Sequence, residues 1–72
     1  MLRLGILRAF DTTTYRAQVQ MEGSTGLWME DVPVARNIPP AEMVEGRRCL
    51  LALFDPSNPS DMVVVAVFVA PA

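Results

Sequence analysis

The sequence predicts an all-β domain of five strands, on three observations. Residues 15–21 alternate strictly: Tyr15, Ala17, Val19 and Met21 share one face, and Arg16, Gln18 and Gln20 the other. That is the period-two signature of a half-buried strand. Residues 62–69 read Met-Val-Val-Val-Ala-Val-Phe-Val, an apolar run rich in β-branched side chains. Clusters of turn formers separate such runs, at Asp11-Thr12-Thr13-Thr14, at Gly23-Ser24-Thr25-Gly26 and over residues 55–61.

The elements follow in order. Leu2, Leu4 and Ile6 alternate with Arg3 and Gly5, which predicts a first strand over residues 2–10, and the second strand is the alternating segment 15–21. A glycine-bounded loop then leads into a third strand over residues 27–34, bulged around Glu30-Asp31. The pattern breaks at Asn37-Ile38-Pro39-Pro40. Proline at the first helical position, Glu42 in the first turn and Gly46 past the end predict a short helical turn over residues 40–45. It is too short to stand alone, so Met43 or Val44 is expected to plug one end of a barrel. Residues 47–54 form the fourth strand and residues 62–69 the fifth. Residues 1–72 thus make a single domain. Three meandering strands, a helical turn between strands three and four, and a closing hairpin are the order of a small five-stranded OB-like barrel. An SH3-like barrel is the runner-up.

Composition narrows the function classes. At 72 residues one core is marginal without a disulfide, a metal or a partner. Cys49 is the only cysteine and there is no histidine, so an intrachain disulfide is impossible and a transition-metal site has few ligands to draw on. No metal and no cofactor is expected. A formal charge of -2 gives no electrostatic case for nucleic acid or an anionic membrane. All six basic residues are arginine, a bias that suits bidentate interfaces but that GC-rich coding produces equally well. The run at 62–69 is too short to span a bilayer, and residues 1–10 lack a secretory pattern. Synthesis in a bacterial cytoplasm is the expectation.

Catalytic readings are weak. Glu30 and Asp31 are neighbours in a predicted strand, where adjacent carboxylates point to opposite faces. Asp55, Asn58 and Asp61 offer oxygen ligands in one loop, but their spacing matches no EF-hand and a turn-forming role explains them better. Cys49 sits in an apolar strand with no histidine to activate it, so it reads as a buried inert thiol. The chain reads as a non-enzyme with no small-molecule substrate. The competing class is an OB-fold binder of single-stranded nucleic acid, using Arg16, Gln18 and Gln20 with Trp28 as a stacking platform. Glu22 on the same face argues against it.

Assembly reads best. Residues 49–54 and 62–69 are apolar on both faces, so their hairpin needs cover on two sides, and a chain this short supplies only one core. A second copy or a larger protein is expected over the outward row. Strict alternation divides the last strand into Val63, Val65, Val67, Val69 and Met62, Val64, Ala66, Phe68, without saying which set faces out. The candidate interface residues are Trp28, Arg47, Arg48, Met62, Val64, Val65 and Phe68. For Arg47 and Arg48 an ion pair to Glu42 or Glu45 is the simpler alternative.

The stretch Gly46-Arg47-Arg48-Cys49-Leu50-Leu51-Ala52-Leu53-Phe54, the Asp55-Pro56 loop and Met62-Val63-Val64-Val65-Ala66 together resemble the closing hairpin of small OB-like domains in phage baseplate-hub and tail-spike proteins. Gly5-Ile6-Leu7 and the alternating second strand fit the same pattern. The resemblance implies a virion structural protein of phage or prophage, acting in a homo-oligomer or docked on a larger virion protein. Ala66 stands where such domains carry glycine, and the needle or enzymatic domain that they lead into is not expected here. A free-standing capsid decoration, cement or tail-ring component is the form this implies.

Overall fold

The alternating segment sets the frame. In the computed structural model, which describes residues 1–23, 27–55, 57–58 and 61–69, β2 (Arg16–Met21) buries Ala17, Val19 and Met21 and turns Arg16, Gln18 and Gln20 outward. It lies between β1 (Leu2–Asp11) and β3 (Trp28–Pro33), and β1 pairs on its other side with β4 (Arg48–Leu53), which carries β5 (Met62–Phe68). Every one of these pairings is antiparallel. Among the described residues the chain is all-β: one five-stranded sheet ordered β3-β2-β1-β4-β5, and one short 3-10 turn. The two edge strands approach each other at a parallel bridge, Val34 to Val64, where the Ala35 N–H donates to the Val64 carbonyl at 2.9 Å. Ser24, Thr25 and Gly26 of the loop expected after the second strand, and Pro56, Pro59 and Ser60 of the loop before the fifth, lie outside the described residues.

Three bulges bend the sheet. In β1 the register passes from Leu7 opposite Val19 to Ala9 opposite Gln18, which leaves Arg8 as the extra residue. In β3, Glu30 and Asp31 face Gln18 between the pairs Val19–Met29 and Ala17–Val32, with Asp31 at φ 55. In β5, Val65 is the extra residue between Leu51–Val64 and Leu50–Ala66. A bulge bends its strand, increases the local twist and reverses the alternation beyond it. So Leu7 and Phe10, Met29 and Val32, and Val64 and Val67 all contact the core, although each pair is three residues apart. The shortest extent of the molecule is 19 Å, about twice the ~10 Å spacing of facing sheets, so the single sheet curls over its own core.

The core is the inner row of that curl. Leu7, Val19, Cys49, Leu51 and Val64 are fully buried, with Met21, Val34, Ile38, Met43, Leu53 and Met62 around them. Gly5 sits where β1 passes closest to β2: a Cβ there would lie 2.5 Å from Val19 Cγ1. The helical turn is shorter than expected. It is a 3-10 turn, Pro40–Glu42, because Met43 leaves helical geometry (φ -84, ψ 67) and Val44 N–H turns back to the Glu42 carbonyl at 2.9 Å. Met43 is buried in the core and Val44 is exposed. Gly46, at φ 93, then redirects the chain so that its N–H reaches the Leu7 carbonyl at 2.8 Å.

One expectation about the strands needs correction. Neither alternation set of β5 faces the core as a whole, because the bulge at Val65 splices them: the inner row is Met62, Val64 and Val67, and the outer row is Val63, Ala66 and Phe68. Met62 and Val64, placed among the candidate interface residues, are therefore core residues, 2% and 0% exposed. The aromatic residues also divide. Phe10 and Tyr15 pack edge to face at 5.0 Å against the core, and the Tyr15 hydroxyl donates to the Ile38 carbonyl. Phe54 and Phe68 are exposed.

Candidate functional site

Register stacks the outward side chains of β1, β4 and β5 into three cross-strand rows. Leu2, Ala52 and Val63 form the first, Leu4, Leu50 and Ala66 the second, and Ile6, Arg48 and Phe68 the third. Arg48 is the one polar member. Side chains directly opposite on neighbouring strands are in contact range, so the rows make one contiguous apolar face. Leu2 is 61% exposed, Leu4 38% and Phe68 37%, while Ile6, Leu50, Ala52, Val63 and Ala66 are partly covered by one another. Val65, at the bulge, and Phe54, the next outward position of β4 beyond Ala52, extend the face along its margin. A soluble chain seldom leaves so many adjacent apolar positions in water without a use for them.

The charge on this face is closed on itself. Arg48 Nη1 donates to both Glu22 carboxylate oxygens at 2.8 Å. Arg48 lies opposite Ile6, and the Glu22 N–H bonds the Leu4 carbonyl at 3.1 Å, so the ion pair crosses β1 on its outer side. The arginine stem covers part of the third row while its head is neutralised. At this exposure the pair contributes about 0–1 kcal/mol to stability. Its larger effect is to leave the apolar face without net charge.

The remaining candidates lie elsewhere. Arg47 bonds the Glu42 carboxylate at 3.3 Å and the Glu42 carbonyl at 3.2 Å, which ties it to the 3-10 turn and not to the rows. Trp28 continues the third row at its far end, beyond Gln20 on β2, and is 45% exposed. Arg8 lies over its ring at 5.5 Å and also donates to Gln20 Oε1. Gln18 Nε2 donates to Glu30 at 2.9 Å, and Arg16 to the Asp31 carbonyl at 3.0 Å. The polar half of the outer face is thus a ladder of side chains that engage one another.

An open groove of about 400 Å³ borders that ladder, lined among others by Phe10, Asp11, Arg16, Gln18, Glu30 and Asp31. Here the structure corrects a sequence inference. The left-handed backbone at Asp31 brings it to the same groove as Glu30, where simple alternation would have placed them on opposite faces. The groove brings the carboxylates of Asp11, Glu30 and Asp31 together with the guanidinium of Arg16. In the loop before β5, the Ser57 hydroxyl and N–H both donate to Asp55 Oδ1, at 2.7 and 3.0 Å, and hold its carboxyl below the ordinary value. Asp55 serves the turn. Among the described residues no cluster of acidic, cysteine or histidine side chains is placed to hold a metal ion.

Cys49 is fully buried on the inner side of β4, and burial pushes its thiol up from 9.0 to about 11. The neutral form is the one the core accepts. Its contribution to stability is therefore complete below pH 9.0 and is lost as pH rises towards about 11, where the folded thiol ionises. The whole loss amounts to about 2–3 kcal/mol. Urea titrations between pH 8 and 11 are expected to show this descent, and Cys49→Ala to make it shallower. An unchanged slope in Cys49→Ala would assign the descent to other groups. The native thiol is also expected to resist aromatic disulfide reagents at pH 8 until the chain unfolds.

Sequence reasoning missed Leu2, Leu4, Ile6, Leu50, Ala52 and Val63 as site residues. A signal was present: Ile6 and Leu7 are consecutive apolar residues at the end of an alternating run, and only one can face the core. Leu7 does, so Leu2, Leu4 and Ile6 face out while Arg3 and Gly5 take the inner side. Compared with protein-family models, curated proteins and solved structures, the chain matches none.

Proposed function

We propose that this chain is a non-enzymatic structural subunit that assembles through the outer face of β1, β4 and β5, and that the assembly belongs to a phage or prophage particle. One observation carries the reading: three adjacent strands place apolar side chains in register on the solvent side, with the single arginine among them neutralised by Glu22. Fully covering each large side chain of this face contributes about 1.5–3 kcal/mol before the costs of association. A second copy is the occupant that fits. A face without net charge lets two chains of formal charge -2 meet without burying unpaired charge, and a two-fold axis makes one patch serve both partners.

The sheet order supports an OB-like barrel over an SH3-like one. β1 is shared between the meander and the closing hairpin, and the outer strands meet in parallel at Val34 and Val64. That arrangement fits the resemblance to baseplate and tail-spike domains, from which the particle is inferred. Within the particle the subunit is a decoration or tail component, made in the host bacterial cytoplasm.

Phe68→Glu tests the face. Phe68 is exposed, so the variant is expected to keep its β circular dichroism and cooperative melting, and to sediment at half the parent's mass or less. A folded variant of unchanged mass would remove the face from the reading. The particle is tested separately by mass spectrometry of purified virions induced from the source cell. Recovery of the chain in stoichiometric amount is expected, and its confinement to the soluble cell fraction would overturn that part.

A further inference from the structure

We infer that the open edge of β5 pairs with the same edge of a second copy, antiparallel and about a two-fold axis. This inference rests on the edge and is independent of the outer face. The curled sheet has two ends, and they are joined at Val34 and Val64. From Val65 to Phe68, β5 has a ladder partner on its β4 side only, among the described residues. Alternate N–H and C=O groups of that stretch point away from β4, a ready template for another strand.

The two edges are protected very differently. β3 carries Glu30, Asp31 at positive φ, and Pro33, all of which discourage an incoming strand. β5 carries no charge and no proline: its sequence is Met-Val-Val-Val-Ala-Val-Phe. Charge selects the partner. Pairing β3 with β3 would bring Glu30 and Asp31 of both copies together, and pairing β3 with β5 would offer those carboxylates no cation. β5 against β5 opposes apolar residues only. The bulge at Val65 limits the new ladder to the residues beyond it, so the product is a short closed pair and not a growing fibril. Two different two-fold contacts on one chain, the edge and the outer face, generate a closed tetramer or an extended array, as a particle component requires.

Amide hydrogen exchange of the full chain, followed residue by residue by NMR over a dilution series, tests the edge. The measurement is made on the parent and on Leu50→Glu, which removes the outer face from association. In both, amides of residues 66–69 that point away from β4 are expected to exchange at least about tenfold more slowly at high concentration, equivalent to about 1.4 kcal/mol. Trp28 and Glu30 on β3 are expected to show no concentration dependence. Added to Leu50→Glu, where the outer face is already removed from association, Val65→Lys at an exposed position beside the ladder is expected to remove the effect while the fold persists. Exchange at residues 66–69 that ignores concentration would overturn the edge inference. If the parent nevertheless self-associates, the outer face stands alone. Protection that appears on β3 instead would overturn the choice of edge.

Discussion

Leu51→Glu is expected to unfold the chain, while Leu50→Glu, one residue away, leaves it folded. Leu51 is fully buried, opposite Arg3 on one side and Val64 on the other, in the middle of the curl. A carboxylate there is cut off from water, and Arg3, the half-buried cross-strand neighbour, could pair with it only by carrying its own charge into the core, so the group would have to take up a proton or open the core. Leu50 points to the outer face, so the same substitution places a charge beside solvent. The milder pair is quantitative. Leu51→Ala is expected to cost about 2–5 kcal/mol, a large part of the stability of so small a domain, and Leu50→Ala under about 1 kcal/mol in the isolated chain. Urea unfolding at low protein concentration measures both. Equal losses at the two positions would mean that β4 does not have one core side and one outer side.

Gly5→Ala is expected to destabilise by about 1–3 kcal/mol, although alanine elsewhere in a strand is the better residue. The added methyl would meet Val19 Cγ1 at 2.5 Å, with Leu51 Cδ1 and the Gln20 carbonyl oxygen each at 3.2 Å. Val19 is itself fully buried and cannot swing away, and the Gln20 carbonyl is part of the backbone. The clash therefore decides the sign. Val19→Ala removes the offending carbon, so Gly5→Ala is expected to cost less in the Val19→Ala background, with a coupling of about 0.5–3 kcal/mol. Strictly additive losses would show that the strands do not approach each other this closely.

How much of this was legible in the sequence depends on where the alternation is interrupted. β2 has no extra residue, and its buried and exposed sides follow directly from the order of its side chains. The bulge in β3 is legible too, because two acidic residues interrupt a strand and one of them, Asp31, tolerates the left-handed region. The bulges at Arg8 and Val65 leave no such mark. Val65 lies in an apolar run where every residue could face either way, so no alternation set could be assigned to the core and the true rows were hidden. The shortness of the 3-10 turn reflects geometry at Met43, not a residue that announces a stop.

The candidate site was half legible for a related reason. A hairpin apolar on both faces signals a need for cover, but which strand lies beside it is a matter of sheet order. β1 joins β4 from 46 positions away in the Leu4–Leu50 pair, and only that pairing brings Leu2, Leu4 and Ile6 into the face. The partner of Arg48 is another long-range result: Glu22, 26 residues away, is reached across β1, whereas the local carboxylate Glu42 pairs with Arg47.

Sedimentation equilibrium of the parent chain over a wide dilution range tests the central claim most directly. The outer face of β1, β4 and β5 predicts a mass that is a multiple of the 7.9 kDa chain and falls on dilution. A well-folded chain that stays at 7.9 kDa up to millimolar concentration would contradict it, because the face would then be exposed without covering itself.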